Sequence, residues 1–306
     1  MTQPKAPPSP NFSTAAALLL QGLDHRWDEY QDCYRFCLHE FSKEAVHDLR
    51  VATRRLLNIL EILETLFLAN KGRKLRRELK RQLDGLDKLR DTQVQIAYVV
   101  DEMAGVKGIS AFLKYLHRRE ATLLAEVVHL IRTTSMAGQQ RRLARIRLSA
   151  EARLQVKGVR ARLIAAVDSS FANVLHRQSK IDPKDTETIH RTRIVFKSFR
   201  YALEVIHPLL VRYPVDLLKA MNDYQGSMGD IQDMEVLQEM LETFGKKHPD
   251  KGITSSLAFV NKRHRLLVTT FLSRKDELQG FWRNSPRQPY PWNKAKPASV
   301  LSRGQA

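Results

Sequence analysis

Histidine and arginine recur at helical spacing in two places: His47-Asp-Leu-Arg50-Val-Ala-Thr-Arg54-Arg55, and His190-Arg-Thr-Arg193-Ile-Val-Phe-Lys197 followed by Arg200. At 100° per residue, with His47 as zero, Arg50 falls at about −60° and Arg54 at about −20°, while Leu49, Leu56, Leu60, Leu63 and Phe67 gather on the opposite side. His190, Arg193, Lys197 and Arg200 form the same stripe opposite Phe199, Leu203, Ile206 and Leu210. Both segments read as helices that bury one face and present a cationic ridge on the other. A solvated face usually mixes its signs; these stripes carry one sign and a histidine at the same place. Like charges three and four residues apart cost a helix about 0.2–0.5 kcal/mol per pair, so an anion is expected to offset the repulsion. A guanidinium fork takes two phosphate oxygens at once, which makes a phosphate-rich polyanion the matching partner. Removing Arg50 and Arg54 should then weaken binding while leaving stability level or slightly raised.

The next helix continues the design. Leu75, Leu79, Leu83 and Leu86 share one face, and Lys74, Arg77, Arg81 and Lys88 the other. In a later copy Lys219 stands where the first has Arg77, while Asp216, Asp223 and Asp230 replace Lys74, Arg81 and Lys88, so the second site is expected to be the weaker.

These copies belong to an internal repeat. His47 to Arg54 is echoed from His190 at an offset of 143 residues, and Arg90-Asp91-Thr-Gln-Val94 is echoed by Gln232-Asp233-Met-Glu-Val236 at an offset of 142. Prolines stand at 4, 7, 8 and 10 and then not again until Pro183, which implies long helices with short connections. Strong helix formers dominate throughout and β-branched runs between turns are missing, so the fold class is all-α. Breaks at Ser42, Asn70–Gly72, Gly105–Gly108, Ser135–Gly138, Ile181–Pro183, Pro208–Pro214 and Lys246–Gly252 cut the body into about eight helices. The expected organisation is a disordered segment 1–11, a folded body 12–283 and a disordered basic tail 284–306. The body divides into repeats near 12–136 and 148–283, joined through the basic stretch Gln139–Arg147. Asp91 and Asp233 are expected to hold helix ends or pair with arginines.

The chain has 306 residues and a net charge of +18, too basic for neutral partners alone. Its apolar runs, such as Ala15–Leu20 and Ile96–Val100, fall far short of the ~18 residues that cross a bilayer, and its start is a poor secretory signal, so the expected compartment is the cytosol. Cys33 and Cys37 sit at i, i+4 and point along one helix face, which disfavours a disulfide. With His39 they do not complete a zinc set, so neither metal nor cofactor is expected.

His47-x-x-Arg50-Val-Ala-Thr-Arg54-Arg55, its counterpart His190 to Glu204, and Met228-Gly229-x-x-x-Asp233-x-x-Val236 together resemble the two halves of a CHAD domain, a histidine-containing α-helical family. The resemblance covers nearly the whole body. It implies a tandem pair of four-helix bundles whose basic helix faces line a central cavity, binding of inorganic polyphosphate, and association with polyphosphate granules. The matching positions are His47, Arg50, Arg54 and Arg55 in the first half and His190, Arg193, Lys197 and Arg200 in the second. Arg77, Arg81 and Lys219 extend the candidate site. The halves differ where Leu57 faces Arg200, Ser198 faces Arg55, and Asp87 replaces Gly229. The Glu-x-Glu-x-Lys mark of a fused triphosphatase is not found, so a stand-alone binding domain without enzymatic activity is expected.

Two other functions remain open on these residues. His47-Asp48 resembles the metal-gripping pair of phosphohydrolases, but His190 is followed by Arg191 and the neighbouring arginines would repel a cation. The net charge would also support non-specific nucleic-acid binding, although only Tyr201 approaches a stacking role beside the ridge.

Overall fold

The computed structural model describes residues 14–68, 71–210 and 212–293. The expected segment 1–11, the residue Asn70 at one break and the tail beyond 293, with Arg303, lie outside the described residues. Nine α-helices make up the described chain: α1 Thr14–His39, α2 Lys43–Leu63, α3 Arg73–Glu102, α4 Ile109–Thr133, α5 Met136–Arg153, α6 Val159–Gln178, α7 Glu187–Ile206, α8 Val215–Lys247 and α9 Thr254–Arg274. Among the described residues the sole extended pairing is an isolated bridge between Asp182 and Asp185. The all-α class holds.

The repeat is visible in the element order. The first residues of α1 to α4 and of α6 to α9 stand 142 to 145 residues apart, pair by pair, leaving α5 without a counterpart. That helix occupies the basic stretch expected to be a connector. Between the expected breaks at Ser135–Gly138 and Ile181–Pro183 the chain has a further turn, at Leu154–Gly158, where Gly158 takes a left-handed φ of 84° and separates α5 from α6. Ser135 and Ser42 act as expected, each starting a helix by accepting a hydrogen bond from a backbone N–H three residues on, Gly138 and Ala45 respectively, both at 3.2 Å. Gly138 itself lies inside α5.

The chain forms two compact units that do not follow the repeat boundary. One comprises the described residues up to Leu163 with Gln232–His264; the other comprises Ile164–Ile231 with the described residues from Arg265 onward. In the first unit, Leu23, Leu49, Leu56, Leu79, Leu86 and Phe112 are wholly buried. Tyr30 ties three helices together there, with its hydroxyl 2.8 Å from Gln82 Oε1 on α3 and 3.0 Å from Gln139 Oε1 on α5. Cys33 and Cys37 are free thiols.

The second unit has an aromatic core. The rings of Phe171 and Phe199 lie 4.8 Å apart and those of Phe196 and Tyr224 5.1 Å apart. The tail expected to be disordered from 284 is packed here as far as Asn293. Trp282 Nε1 donates to Asp168 Oδ1 at 2.8 Å, and Arg283 donates to both oxygens of that carboxylate, at 2.8 and 2.6 Å. Tyr290 and Trp292 stack with centroids 4.7 Å apart, and both rings meet Trp282. Large aromatic surfaces bring this segment down onto the helices, against the expectation of disorder from its prolines and cations.

Candidate functional site

α2 carries the first ridge. Its apolar face is fully buried through Leu49, Leu56, Leu60 and Leu63, which turns His47, Arg50 and Arg54 to the other side. Arg50 Nε donates to Asp87 Oδ1 on α3 at 2.5 Å, and Arg54 Nη2 donates to both Asp87 oxygens at 2.9 and 3.0 Å. The two arginines therefore already converge on one anion, supplied by the protein. Their side chains are 20% and 15% exposed and that of Asp87 31%. This corrects the stability expectation for Arg50 and Arg54: removing both would strand a half-buried carboxylate, so the fold should lose stability.

His47 sits at the head of this ridge, with Nδ1 buried and unbonded among the described residues. Burial, and then the charges of Arg90 and Arg50, outweigh Asp48 and push its imidazole below the usual histidine range, which favours the neutral form. Arg90 drew no attention as a candidate in the sequence; its influence comes from α3 lying beside α2.

Arg55 is not brought to the same place. One residue beyond Arg54, it is turned by about 100° and donates to Glu29 of α1 at 2.6 Å. Burial works to raise the Glu29 carboxyl, but the hydrogen bonds and charges of Arg26 and Arg55 outweigh it and hold the group below its usual range. Arg77 and Arg81 are exposed on α3. They lie about 80° and 120° round the helix from Asp87, so they flank the α2 ridge and do not join it. Arg81 lines a separate hollow with Glu78, Gln139 and Arg142.

The second ridge, on α7, is built alike. Phe196, Phe199, Leu203 and Ile206 are buried, and His190, Arg193, Lys197 and Arg200 lie on the half-exposed side. His190 repeats the feature of His47, a buried and unbonded Nδ1. Arg193 Nε is also buried without a hydrogen-bond partner, and its guanidinium lies against Gly229 of α8, where a Cβ would be 3.7 Å from Nε and Nη2. Arg200 is committed elsewhere: it donates to Gln225 Oε1 at 2.9 Å and Glu204 Oε1 at 2.7 Å and covers the Tyr201 ring at 4.7 Å. Lys219 is exposed on α8.

Gly229 and Asp87 hold the same place in the two copies, 142 residues apart. Where Asp87 meets Arg50 and Arg54 in the first copy, Gly229 lies against Arg193 in the second. The acidic residues expected to weaken the second site, Asp216, Asp223 and Asp230, are exposed and lie at least about 100° round α8 from Gly229. Asp91 and Asp233 lie within α3 and α8 and do not hold helix ends. Among the described residues no three His, Cys, Asp or Glu side chains converge as a metal site.

A sequence model described as the CHAD domain matches residues 21–242. No curated protein matches the chain. Among solved structures it is similar to the crystal structure of the CHAD domain from the plant Ricinus communis, at 18% identity and a TM-score of 0.61, over 90% of this chain and 93% of that one. It is also similar to PptA from Streptomyces chartreusis, at 14% identity and a TM-score of 0.65, over 87% and 99% of the two chains. At such identities the likeness carries the fold. No helix among the described residues is long and apolar enough to cross a membrane.

Proposed function

Since this chain belongs to the CHAD domain family, we propose that it binds inorganic polyphosphate along its α2 and α7 ridges, as a binding protein without a catalytic step or a cofactor. The observation that carries the reading is the convergence of Arg50 and Arg54 on the Asp87 carboxylate. Two guanidinium groups aimed at one small anion are already arranged for a phosphate, whose oxygens can take the same N–H donors. Along α2 the stretch from His47 to Arg54 rises about 10 Å, enough to follow several phosphates. The α7 ridge offers Arg193 with an unbonded Nε beside Gly229, the place that Asp87 takes in the first copy. Association with polyphosphate granules belongs to the same proposal.

Nucleic acid fits these ridges less well. The face of Tyr201 is covered by the Arg200 guanidinium and is not offered to a base. Isothermal titration with polyphosphate tests the proposal. Arg50→Ala with Arg54→Ala, and separately Arg193→Ala with Lys197→Ala, should each lower affinity about tenfold or more and flatten its salt dependence, because charge-assisted phosphate contacts contribute about 1.5–3 kcal/mol each. Unchanged affinity in both variants would leave the ridges as solvated surface.

A further inference from the structure

A second cationic hollow lies away from both ridges. It occupies about 290 Å³ between the start of α3 and the first turns of α5, lined by Lys71, Lys74, Gly138, Arg141, Arg142 and Arg145 over the apolar side chains of Leu75 and Ile146. Among the described residues no carboxylate lines it. Arg142 donates to Glu78 at 2.9 Å, and among the described residues the other four cations have no ion-pair partner. On α5, Arg142 and Arg145 stand three residues apart and Arg141 and Arg145 four apart, so these like charges repel along their own helix.

The backbone adds to the same field. One lining residue, Gly138, lies in the first turn of α5, an 18-residue helix, where the positive end of the helix dipole favours an anion. Gly138 belongs to the arrangement: a Cβ there would stand 3.2 Å from Arg142 Nη1 and 3.0 Å from Ser135 Oγ, so glycine lets the guanidinium settle close over the first turn. Gln139, buried and 3.0 Å from Tyr30, locks that turn of α5 to the core.

The site is distinct from the ridges. Lys74 lies about 140° round α3 from Asp87, toward α5 and away from α2. It also has no copy in the second repeat, where α5 has no counterpart and Asp216 takes the place of Lys74. We propose that this hollow is a separate anion site for a compact phosphate chain of two or three groups, either free or as the end of a nucleotide. Its volume is at the lower bound of small-ligand pockets, which suits such a chain and excludes a long polymer lying within it. Among the described residues no aromatic side chain lines it to hold a base, so the phosphates supply the recognition.

The test uses the full chain and inorganic tripolyphosphate, with ATP as the second arm, followed by isothermal titration at two salt concentrations. Lys74→Gln with Arg141→Gln and Arg145→Gln keeps the side-chain stems on exposed helix positions and should weaken tripolyphosphate binding at this site about tenfold or more, with a shallower salt dependence. The ridge variant Arg50→Ala with Arg54→Ala should keep this binding event, which separates failure of this site from failure of the ridge reading. Arg141→Lys with Arg145→Lys, which retains the charges, should restore most of the affinity. ATP and tripolyphosphate should bind alike. Unchanged tripolyphosphate binding in the triple variant, or binding of ATP without tripolyphosphate, would overturn the proposal.

Discussion

Replacing Asp87 with asparagine keeps the shape of the side chain and removes the internal anion. In the native chain a phosphate reaching Arg50 and Arg54 must either displace this carboxylate or bind about 6 Å from it. Two unit charges at that separation repel by about 0.7 kcal/mol in bulk water and about 3 kcal/mol at an effective dielectric of 20. Asp87 is 31% exposed, so screening favours the lower part of that range, near about 1.4 kcal/mol, or about tenfold in affinity. Polyphosphate titrated into Asp87→Asn should therefore bind about tenfold more tightly. The unliganded variant should melt lower, since two half-buried arginines lose their charged partner at a cost of about 1–2 kcal/mol, worth a few degrees in a domain of this size. Added polyphosphate should recover more of that loss than it adds to the wild type. Tighter binding and lower unliganded stability must appear together. If the variant bound polyphosphate more weakly, Asp87 would be positioning the arginines for the ligand and the competition described here would be wrong.

The reciprocal change, Gly229→Asp, should place a carboxylate beside Arg193, which has 3.7 Å of space for the new Cβ, and weaken polyphosphate binding several-fold without loss of helix content by circular dichroism; equal or tighter binding contradicts it. His47 is the pH-sensitive group of the first ridge. Its folded pKa lies below the unfolded value near 6.5, so the unfolded chain takes up that proton first and its contribution to stability falls as pH drops through the interval below about 6.5. A bound polyanion should raise the His47 pKa, making binding tighter as pH falls, and an imidazole NMR titration with no ligand-induced shift would remove His47 from the site. Asp168→Asn should cost about 2–3 kcal/mol in urea unfolding, because the carboxylate and Arg283 are 9% and 16% exposed and Arg283 would lose its charged partner; no loss would mean that residues 281–293 do not depend on that contact.

The helix order could be read from the chain because its signals are local. Ser42 and Ser135 mark helix starts, the glycines around 105 to 108 mark a turn, and the apolar stripes set the buried faces. The boundary between α5 and α6 escaped because Gly158 is a single left-handed residue within strong helix formers. Ridge residues on α2 and α7 were legible for the same reason, since the periodicity of one helix decides which side they take. What faces them depends on a neighbouring helix. The exchange of Asp87 for Gly229 stood in the sequence as a mismatch between repeats, but its contact with Arg50 and Arg54 required the packing of α3 on α2. Charge and spacing group Arg55 and Arg81 with the ridge, but a turn of about 100° in one case and a different helix face in the other send them elsewhere. The packed segment 284–293 departs from the expectation of disorder because its prolines and cations carry the local signal, while in three dimensions the rings of Tyr290 and Trp292 decide.

The central claim is that the ridges select a phosphate chain above other polyanions. Competition at one fixed salt concentration tests it most directly, with polyphosphate of several lengths, duplex DNA and heparin each displacing labelled polyphosphate from the wild-type chain and from the variant lacking Arg50, Arg54, Arg193 and Lys197. Unlabelled polyphosphate should displace the label at far lower charge-equivalent concentration than DNA or heparin, and that advantage should disappear in the variant. Equal displacement by all three polyanions, or a preference for polyphosphate that survives the loss of all four residues, would contradict the account.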